Sequence, residues 1–370
     1  EAIYTQDNEM EIYYNGVDKF NALLSSIRRA KKYIHMEYYI YRGDNIGKEI
    51  MEALLEKAKE GVEVKLLYDG MGGRKLPRNF FGGLKAAGGK VAVFFPPFAE
   101  HLSPRINYRN HRKICIVDGE EAFVGGFNIG DEYLGLSKKF GFWRDTHCKI
   151  KGSAVYGLQW RFLQDWRFAF KEKLDSIEKY FPVSEGKGDI GIQIVSSGPD
   201  STWSSVKDGY FKMIANSTKK VYIQTPYFIP DDSIFEALRI SALSGVDVRV
   251  MLPGKPDHPF VYWAGLSYIG ELLQAGVKFY IYKNGFLHSK VVLMDDMLSS
   301  IGSANLDIRS FKLNFEVNAF IYDEKVNKEV ERQFIEDLKY CKEVTIEEYK
   351  KRPWWVKFKE SISRLLSPIL

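Results

Sequence analysis

A short pattern, His-x-Lys-x4-Asp, occurs twice in this chain of 370 residues. The residues are His111, Lys113 and Asp118 in the first copy and His288, Lys290 and Asp295 in the second. Residues two apart in a β-strand share a face, so the histidine and lysine of each copy point the same way. One copy would indicate little. Two copies at equivalent points of a duplicated chain predict one cleft that collects both pairs.

Two imidazoles and two ammonium groups around one spot suit phosphodiester chemistry without a metal ion. The lysines neutralise the non-bridging oxygens as charge builds in the transition state. One histidine can attack phosphorus, while the other protonates the leaving alcohol and then deprotonates the incoming one. Imidazole, with an ordinary pKa of about 6.5, suits both roles near neutral pH. We therefore predict a phosphoryl-transfer site that uses neither a metal nor a cofactor.

Each copy is followed by a turn of small residues and then by a carboxylate. Glycine permits close backbone approach to a phosphate, and amide or hydroxyl groups can donate to its oxygens. The turn residues predicted to bind or orient the phosphate are Gly126, Asn128, Ser303 and Asn305. A carboxylate beyond each turn could accept the other N–H of a histidine and fix its tautomer. These carboxylates are Asp145 and Glu316.

The duplication extends to the elements that must position these residues. Residues 30–35 resemble 218–223, and residues 61–67 resemble 245–251, in the same order along each half. The first half carries additional Pro-rich sequence before its histidine, which predicts a loop insertion that contains Pro96, Pro97 and Pro104. Self-similarity over such long segments indicates a repeated structural unit.

Strand-like runs rich in Val, Ile, Tyr and Phe alternate with amphipathic segments such as 46–60 and 233–243. This rhythm predicts an α/β fold made of two tandem repeats, each a mostly parallel or mixed sheet flanked by helices. Pseudo-two-fold symmetry would place the active site at their interface. The predicted units are residues 1–175, residues 176–345 and a basic amphipathic C-terminal helix in residues 346–370.

Bulk composition excludes several classes of protein. The chain is 45% hydrophobic and 27% charged, as in globular proteins, and its net charge of +5 is weak for a dedicated nucleic-acid binder. Cys115, Cys148 and Cys341 are too few and too widely spaced for a zinc site or a disulfide framework. No apolar run approaches the roughly 20 residues that span a bilayer. The chain begins at Glu1 without Met, which is compatible with a preceding membrane anchor.

Other suggestive residues have simpler readings. The remaining histidines have no duplicated setting and are predicted to be structural; they are His35, His101, His147 and His258. Residues 158–170 have the spacing of a packed helix. Two aromatic groups, 80–81 and 260–263, are compatible with either loop packing or insertion at a membrane surface. At the C-terminus, a basic cluster and two tryptophans in residues 350–366 favour membrane contact over docking onto the protein.

The duplicated motif, followed by Gly-Gly or Gly-Ser and then Asn, resembles the signature of the phospholipase D superfamily. Residues 107–113, 125–133, 143–147 and 224–228 resemble bacterial cardiolipin synthases in particular. The resemblance implies a duplicated α/β sandwich, a covalent phosphohistidine, no required metal, and the joining of two phosphatidylglycerol molecules with release of glycerol. It implies that His111 is the nucleophile and His288 the acid and base. Asp118 and Asp295 belong to the motif, and their position at the strand ends predicts a supporting electrostatic role rather than direct chemistry.

The same resemblance implies an anionic membrane surface as partner and a catalytic domain on the cytoplasmic side of the bacterial cell membrane. No nucleic-acid partner is expected. Two other functions stay open: a hydrolase of the same superfamily, acting on phospholipid or nucleic acid, and a non-catalytic membrane scaffold. The second lipid substrate, phosphatidylglycerol or phosphatidylethanolamine, and the oligomeric state are not determined by the sequence.

Overall fold

A computed structural model describes residues 2–96, 107–171, 176–184, 186–257 and 259–366. Part of the predicted loop insertion lies outside these residues, as do two of the histidines; the residues concerned are Pro97, Pro104, His101 and His258. The predicted unit boundary near residue 175 adjoins undescribed residues and stays a prediction.

Strands and helices alternate along the described chain. The first nine strands are β1 (Tyr4–Tyr13), β2 (Tyr33–Tyr38), β3 (Glu63–Asp69), β4 (Lys90–Phe94), β5 (Arg109–Asn110), β6 (Lys113–Val117), β7 (Glu121–Gly125), β8 (Trp143–Arg144) and β9 (His147–Lys151). The later strands are β10 (Ile190–Ser197), β11 (Lys220–Gln224), β12 (Phe228–Ile229), β13 (Asp247–Pro253), β14 (Lys278–Tyr282), β15 (Phe286–Leu287), β16 (Val291–Met294), β17 (Leu298–Gly302), β18 (Leu306–Asp307), β19 (Asn314–Tyr322) and β20 (Cys341–Val344).

The helices cover the sheet and form the C-terminal segment. They are α1 (Gly16–Arg29), α2 (Asn45–Lys59), α3 (Gly82–Ala86), α4 (Ala154–Phe170), α5 (Ser205–Ala215), α6 (Asp232–Leu243), α7 (Pro259–Gln274), α8 (Ile308–Lys312), α9 (Glu324–Leu338), α10 (Ile346–Lys350) and α11 (Trp354–Leu366). Short 3₁₀ helices also occupy Asp131–Leu134 and Ile177–Tyr180.

One continuous sheet joins the two halves. Its order is β20-β14-β13-β11-β16-β17-β19-β10-β1-β9-β7-β6-β2-β3-β4, with β5 paired to β19. The antiparallel pair β1–β10 lies between the two halves of the sheet. From this pair outward, the strands of the first half follow in the same order as the equivalent strands of the second half. The outer strands β2, β3 and β4, like β11, β13 and β14, pair in parallel, and the inner strands pair antiparallel. This arrangement confirms the predicted α/β fold with a repeated, mixed sheet.

The helices form where the sequence gives a cap and an apolar stripe. Asp44 accepts a hydrogen bond from the Gly47 N–H at the start of α2, and Ile46, Ile50 and Leu54 recur at fourth positions on its buried face. The predicted amphipathic segments 46–60 and 233–243 thus correspond to α2 and α6 within one residue at each end.

The aromatic groups that the sequence left ambiguous differ in the structure. Helix α4 buries Leu158, Phe162 and Trp166 in the core between sheet and helices, so the prediction of a packed helix is confirmed. Phe81 is also buried, with its ring 5.1 Å from that of Tyr41. Residues 260–263 lie in helix α7 rather than in a loop, because the chain after Pro253 continues into an apolar helical run.

Candidate active site

His111 lies at the junction of β5 and β6, where the first half contacts the second. Strand β5 pairs in parallel with the start of β19, and the His111 N–H donates to the Phe315 carbonyl at 3.0 Å. The ring Nδ1 of His111 lies 3.0 Å from both carboxylate oxygens of Glu316. The first histidine is therefore oriented by a carboxylate of the second half.

His288 shows the reciprocal arrangement. Strand β15 pairs in parallel with β8, and the His288 N–H donates to the Arg144 carbonyl at 2.7 Å. Its Nδ1 lies 2.6 Å from an oxygen of Asp145. Each imidazole thus has Nδ1 occupied by a carboxylate from the opposite half, which leaves Nε2 as the nitrogen available to a substrate.

The two lysines lie beside these histidines. Lys113 Nζ donates to the His111 carbonyl, and Lys290 Nζ to the His288 carbonyl, each at 2.5 Å. The positive charge of Lys290 lowers the pKa of His111, and that of Lys113 lowers the pKa of His288, so both pairs share one electrostatic environment. Burial lowers the pKa of Lys290 to about 8 and that of Lys113 well below its ordinary value.

Both imidazoles are neutral at neutral pH. Burial is the main cause that lowers the pKa of His111 and of His288 to about 4, and the neighbouring lysines act in the same direction. The paired carboxylates stay ionised: burial raises their pKa, but the interaction with the paired histidine and the charge of the neighbouring lysine outweigh it, so the pKa of Asp145 and of Glu316 is lowered. The two histidines remain 8% and 7% exposed, a narrow opening toward solvent.

The turn residues after each motif lie next to the carboxylates or form hydrogen bonds within the protein. A Cβ on Gly126 would lie 2.0 Å from an Asp145 oxygen, so only glycine leaves room for that carboxylate. At the equivalent position, the Ser303 hydroxyl donates to Glu316 at 2.5 Å. Asn128 accepts from the Ile40 N–H at 3.1 Å and donates to the Tyr133 hydroxyl at 3.2 Å.

The Asn305 amide donates to Asp307 at 3.2 Å, and its buried Oδ1 has no hydrogen-bond partner among the described residues. Asn128 and Ser303 thus use their polar atoms inside the protein. The prediction that these residues bind or orient a phosphate stays a prediction; in the structure, Gly126 and Ser303 adjoin the carboxylates and Asn128 stabilises its turn.

Asp118 and Asp295 are not brought to the histidines. Each follows the strand that its histidine precedes, so motif histidine and aspartate lie beyond opposite ends of a strand that alone spans roughly 13–16 Å at 3.3 Å per residue. Asp118 accepts from the backbone N–H groups of residues 31–33 at 2.7 to 2.9 Å. Asp295 accepts equivalently from residues 218–220. These contacts fix the starts of β2 and β11, and the predicted supporting electrostatic role of the two aspartates stays a prediction.

Two buried arginines near the site were not predicted. Arg112 contacts Asp165 at 2.5 Å and donates to the backbone carbonyls of Glu316 and Ser197 at 3.1 Å. Arg144 forms an ion pair with Asp337 at 2.7 Å. Both arginines lie within the motif segments. A charged residue between strand positions that are otherwise buried was the sequence signal that could have predicted a buried ion pair.

His35 and His147 are both buried. His35 contacts Gln159 and Glu63 and stacks on Phe162 with ring centroids 4.6 Å apart, as expected for a structural histidine. Both ring nitrogens of His147 lack a hydrogen-bond partner among the described residues. Burial lowers the pKa of His147 well below its ordinary value, so this ring is neutral.

The duplicated sheet and the crossed histidine–carboxylate pairs define a two-repeat protein of the phospholipase D type. The family model described as "Cardiolipin synthase, PLD-like domain" matches residues 23–146 and 210–338. The chain belongs to this family of cardiolipin synthases with PLD-like domains.

Relatives agree with this assignment, and a solved structure agrees with the fold. The chain is 55% identical to the major cardiolipin synthase ClsA of Bacillus subtilis and 54% identical to a cardiolipin synthase of Listeria welshimeri. Both alignments cover all of this chain and 77% of the relative. A crystal structure of phosphatidylserine synthase from Haemophilus influenzae matches with a TM-score of 0.78 and 16% identity, over 100% of this chain and 97% of that one. This last likeness concerns the fold alone.

Proposed function

We propose that the chain is a cardiolipin synthase that transfers the phosphatidyl group of one phosphatidylglycerol to the headgroup hydroxyl of another, through a phosphohistidine. The observation that carries the proposal is the crossed pair of histidines, each oriented through Nδ1 by a buried carboxylate and each beside a buried lysine. The family membership and the names of the relatives support this choice of substrate class.

In the first step, Nε2 of neutral His111 attacks phosphorus of the donor lipid. His288 has taken up a solvent proton on Nε2 when the anionic donor lipid binds. The P–O bond to the glycerol headgroup breaks, and His288 gives this proton to the departing glycerol oxygen. Glu316 stabilises the positive charge that develops on the His111 ring, as a carboxylate does for a histidine that becomes cationic. The product of this step is a phosphatidyl group bound to Nε2 and a free glycerol.

In the second step, the headgroup hydroxyl of a second phosphatidylglycerol attacks phosphorus. His288 accepts the hydroxyl proton, and the P–N bond to His111 breaks with its electron pair returning to the ring. Cardiolipin forms, and both histidines recover their initial states. With water as acceptor, the same step would give phosphatidic acid, which is the outcome expected of a hydrolase.

The resting charges fit a phosphodiester ligand. At neutral pH both imidazoles are neutral and both paired carboxylates are ionised, and Lys290, with a pKa of about 8, is protonated. A bound phosphodiester adds one negative charge, and this charge raises the pKa of His288 toward the protonated form that the leaving group requires. Substrate binding therefore supplies the acid, and the lysines neutralise the charge that grows on the non-bridging oxygens.

The substrates also suggest a location. Phosphatidylglycerol is an anionic membrane lipid, and the net charge of +5 favours approach to such a surface. We place the catalytic units at the cytoplasmic face of a bacterial cell membrane. No helix in the described ranges is both long and apolar enough to cross a bilayer.

The test is incubation of the protein with phosphatidylglycerol in mixed micelles, followed by separation of lipid products and assay of released glycerol. Cardiolipin and glycerol in equal amounts are expected, with no product from His111→Ala or His288→Ala. Ser289→Ala is a matched control, because the Ser289 hydroxyl contacts Thr146 at 2.7 Å while the neighbouring ring and lysine act in the cleft. Phosphatidic acid as the main product would contradict the transferase and indicate a phospholipase D.

A further inference from the structure

The C-terminal helix α11 packs against the protein with its polar face, whereas a docked amphipathic helix is expected to bury its apolar face. It packs against α7: Arg364 lies 4.7 Å from the Tyr268 ring centroid, and Lys359 lies 5.4 Å from the Trp263 ring centroid. The residues that α11 buries include Val356, Glu360 and Ser363. Two of these three are polar, so the contact with the protein is not made by the apolar stripe.

The apolar stripe of α11 points away from the protein. Its members recur at helical spacing, which places them on one face. They and their exposed fractions are Trp354 at 78%, Trp355 at 47%, Phe358 at 58%, Ile362 at 41% and Leu365 at 81%. A contiguous row of large exposed apolar side chains marks a contact surface rather than ordinary solvent-facing sequence.

Positive charge borders this stripe on both sides. Lys357 and Lys359 are exposed at the two margins, and Lys350 and Lys351 precede the helix. No ion pair joins Lys357 or Lys359 to a carboxylate in the described part of the chain. A tryptophan-rich apolar face with cationic margins has the composition of a helix that lies in the interface of an anionic membrane. A second copy of the chain would bring these like charges together, which opposes self-association.

Helix α7, which carries α11, borders the proposed active site. It begins directly after the loop of Asp257, whose carboxylate accepts from the Tyr227 hydroxyl and whose charge acts on Lys290. Residues 226–228 and the first half of α7, including Tyr262 and Gly265, line a common crevice. A surface bound to α11 would therefore be attached to an element at the rim of the cleft.

We infer that the exposed face of α11 is a membrane-docking surface that binds anionic bilayers. This face is defined by Trp354, Trp355, Phe358, Ile362 and Leu365. The choice of a lipid bilayer as occupant rests on the proposed phospholipid substrate. Docking needs no catalysis, so it can be measured apart from the reaction.

The experiment is co-sedimentation of the protein with vesicles of phosphatidylserine and phosphatidylcholine, compared with vesicles of phosphatidylcholine alone. Because phosphatidylserine is not the proposed donor, binding is tested even if the proposed reaction is wrong. Wild type is expected to sediment with the anionic vesicles. Trp354→Ser/Phe358→Ser should bind at least about tenfold more weakly, since two apolar side chains no longer enter the bilayer.

Trp203→Ser is the matched control, because Trp203 is 73% exposed and lies outside α11. Lys357→Glu/Lys359→Glu should weaken binding to anionic vesicles, whereas Lys48→Glu, an exposed lysine on α2, should not. Circular dichroism verifies that each variant is folded. Unchanged sedimentation of Trp354→Ser/Phe358→Ser would overturn the inference. So would a lipid-free dimer that this variant converts to monomer, since the stripe would then cover a second copy.

Discussion

The two halves orient equivalent histidines with carboxylates of different length. In one, Asp145 approaches His288 to 2.6 Å, and the missing side chain of Gly126 leaves the space for it. In the other, the longer Glu316 reaches His111 at 3.0 Å. There, Ser303 stands at the position of Gly126 and donates to the carboxylate. The duplicated fold thus preserves the contact to Nδ1 while the residues behind it have changed together.

The buried arginines differ in a second way. Arg112 stands between the histidine and lysine of the first motif, where the second motif has Ser289. Arg144 precedes Asp145, where the second half has Phe315 before Glu316. Both arginines therefore come from the first half. Arg144 contacts the second half through the side chain of Asp337, whereas Arg112 contacts it through backbone carbonyls.

The largest expected effect separates the roles of the two histidines. His111→Ala and His288→Ala should each lower turnover by at least about 10³-fold, because a nucleophile or an acid is lost. Rapid quenching with phosphatidylglycerol labelled in its acyl chains should trap label on His288→Ala but not on His111→Ala. Label on His111→Ala alone would exchange the two roles.

The arginine difference predicts a loss of stability. Arg144→Met should reduce the free energy of unfolding by about 3–5 kcal/mol, because the buried carboxylate of Asp337 loses its cation. Arg112→Met should cost less, because Asp165 keeps its ion pair with Arg161 at 2.9 Å. Urea unfolding measures this change. Adding Asp337→Asn to Arg144→Met should recover part of the loss. Arg239→Met is the control: its pair with Glu236 is exposed, so the free energy of unfolding should stay nearly unchanged, and a loss as large as that of Arg144→Met would contradict the assignment.

The carboxylate difference predicts unequal loss of activity. Asp145→Asn and Glu316→Gln should lower kcat by roughly 10²-fold, because an amide no longer stabilises a cationic ring. We expect the smaller effect for Glu316→Gln, since Ser303 and Asn314 still position the side chain. Steady-state kinetics on phosphatidylglycerol would measure both. Equal activity of both variants and wild type would show that the Nδ1 contacts do not assist the reaction.

The histidines should contribute alike to the pH dependence of stability. Their pKa of about 4 in the folded protein lies below the ordinary value of about 6.5, so the unfolded chain binds more protons between these values. Their stabilising contribution is complete above about pH 6.5 and is lost as pH falls toward 4. Replacing either histidine by alanine should reduce the slope of unfolding free energy by up to about 1.4 kcal/mol per pH unit. Urea titrations across this range would detect it, and an unchanged slope would contradict neutral imidazoles.

The smallest effect on activity is expected at the far end of the motif strands. Asp118→Asn and Asp295→Asn weaken hydrogen bonds to the preceding strands, at a cost of about 1–2 kcal/mol of unfolding free energy. The effect should be larger for Asp118, which is more buried. The kcat of each should stay within about threefold of wild type, as expected of residues outside the cleft. A fall of 10²-fold in either folded variant would restore a catalytic role.

The sequence by itself determined the duplication, the α/β fold and the histidine–lysine pairs. These features depend on local periodicity: residues two apart share a strand face, and capped apolar stripes form helices. The helices α2 and α6 were predicted within one residue for this reason. The existence of one carboxylate after each turn was also visible in the sequence.

Only the tertiary structure decided which groups meet. His288 and Asp145 are separated by 143 residues and His111 and Glu316 by 205, so their pairing depends on how the halves cross rather than on any local pattern. The same holds for Arg144 with Asp337. The direction of the α11 stripe was likewise undetermined, because an amphipathic pattern fixes which residues share a face but not which face meets the protein.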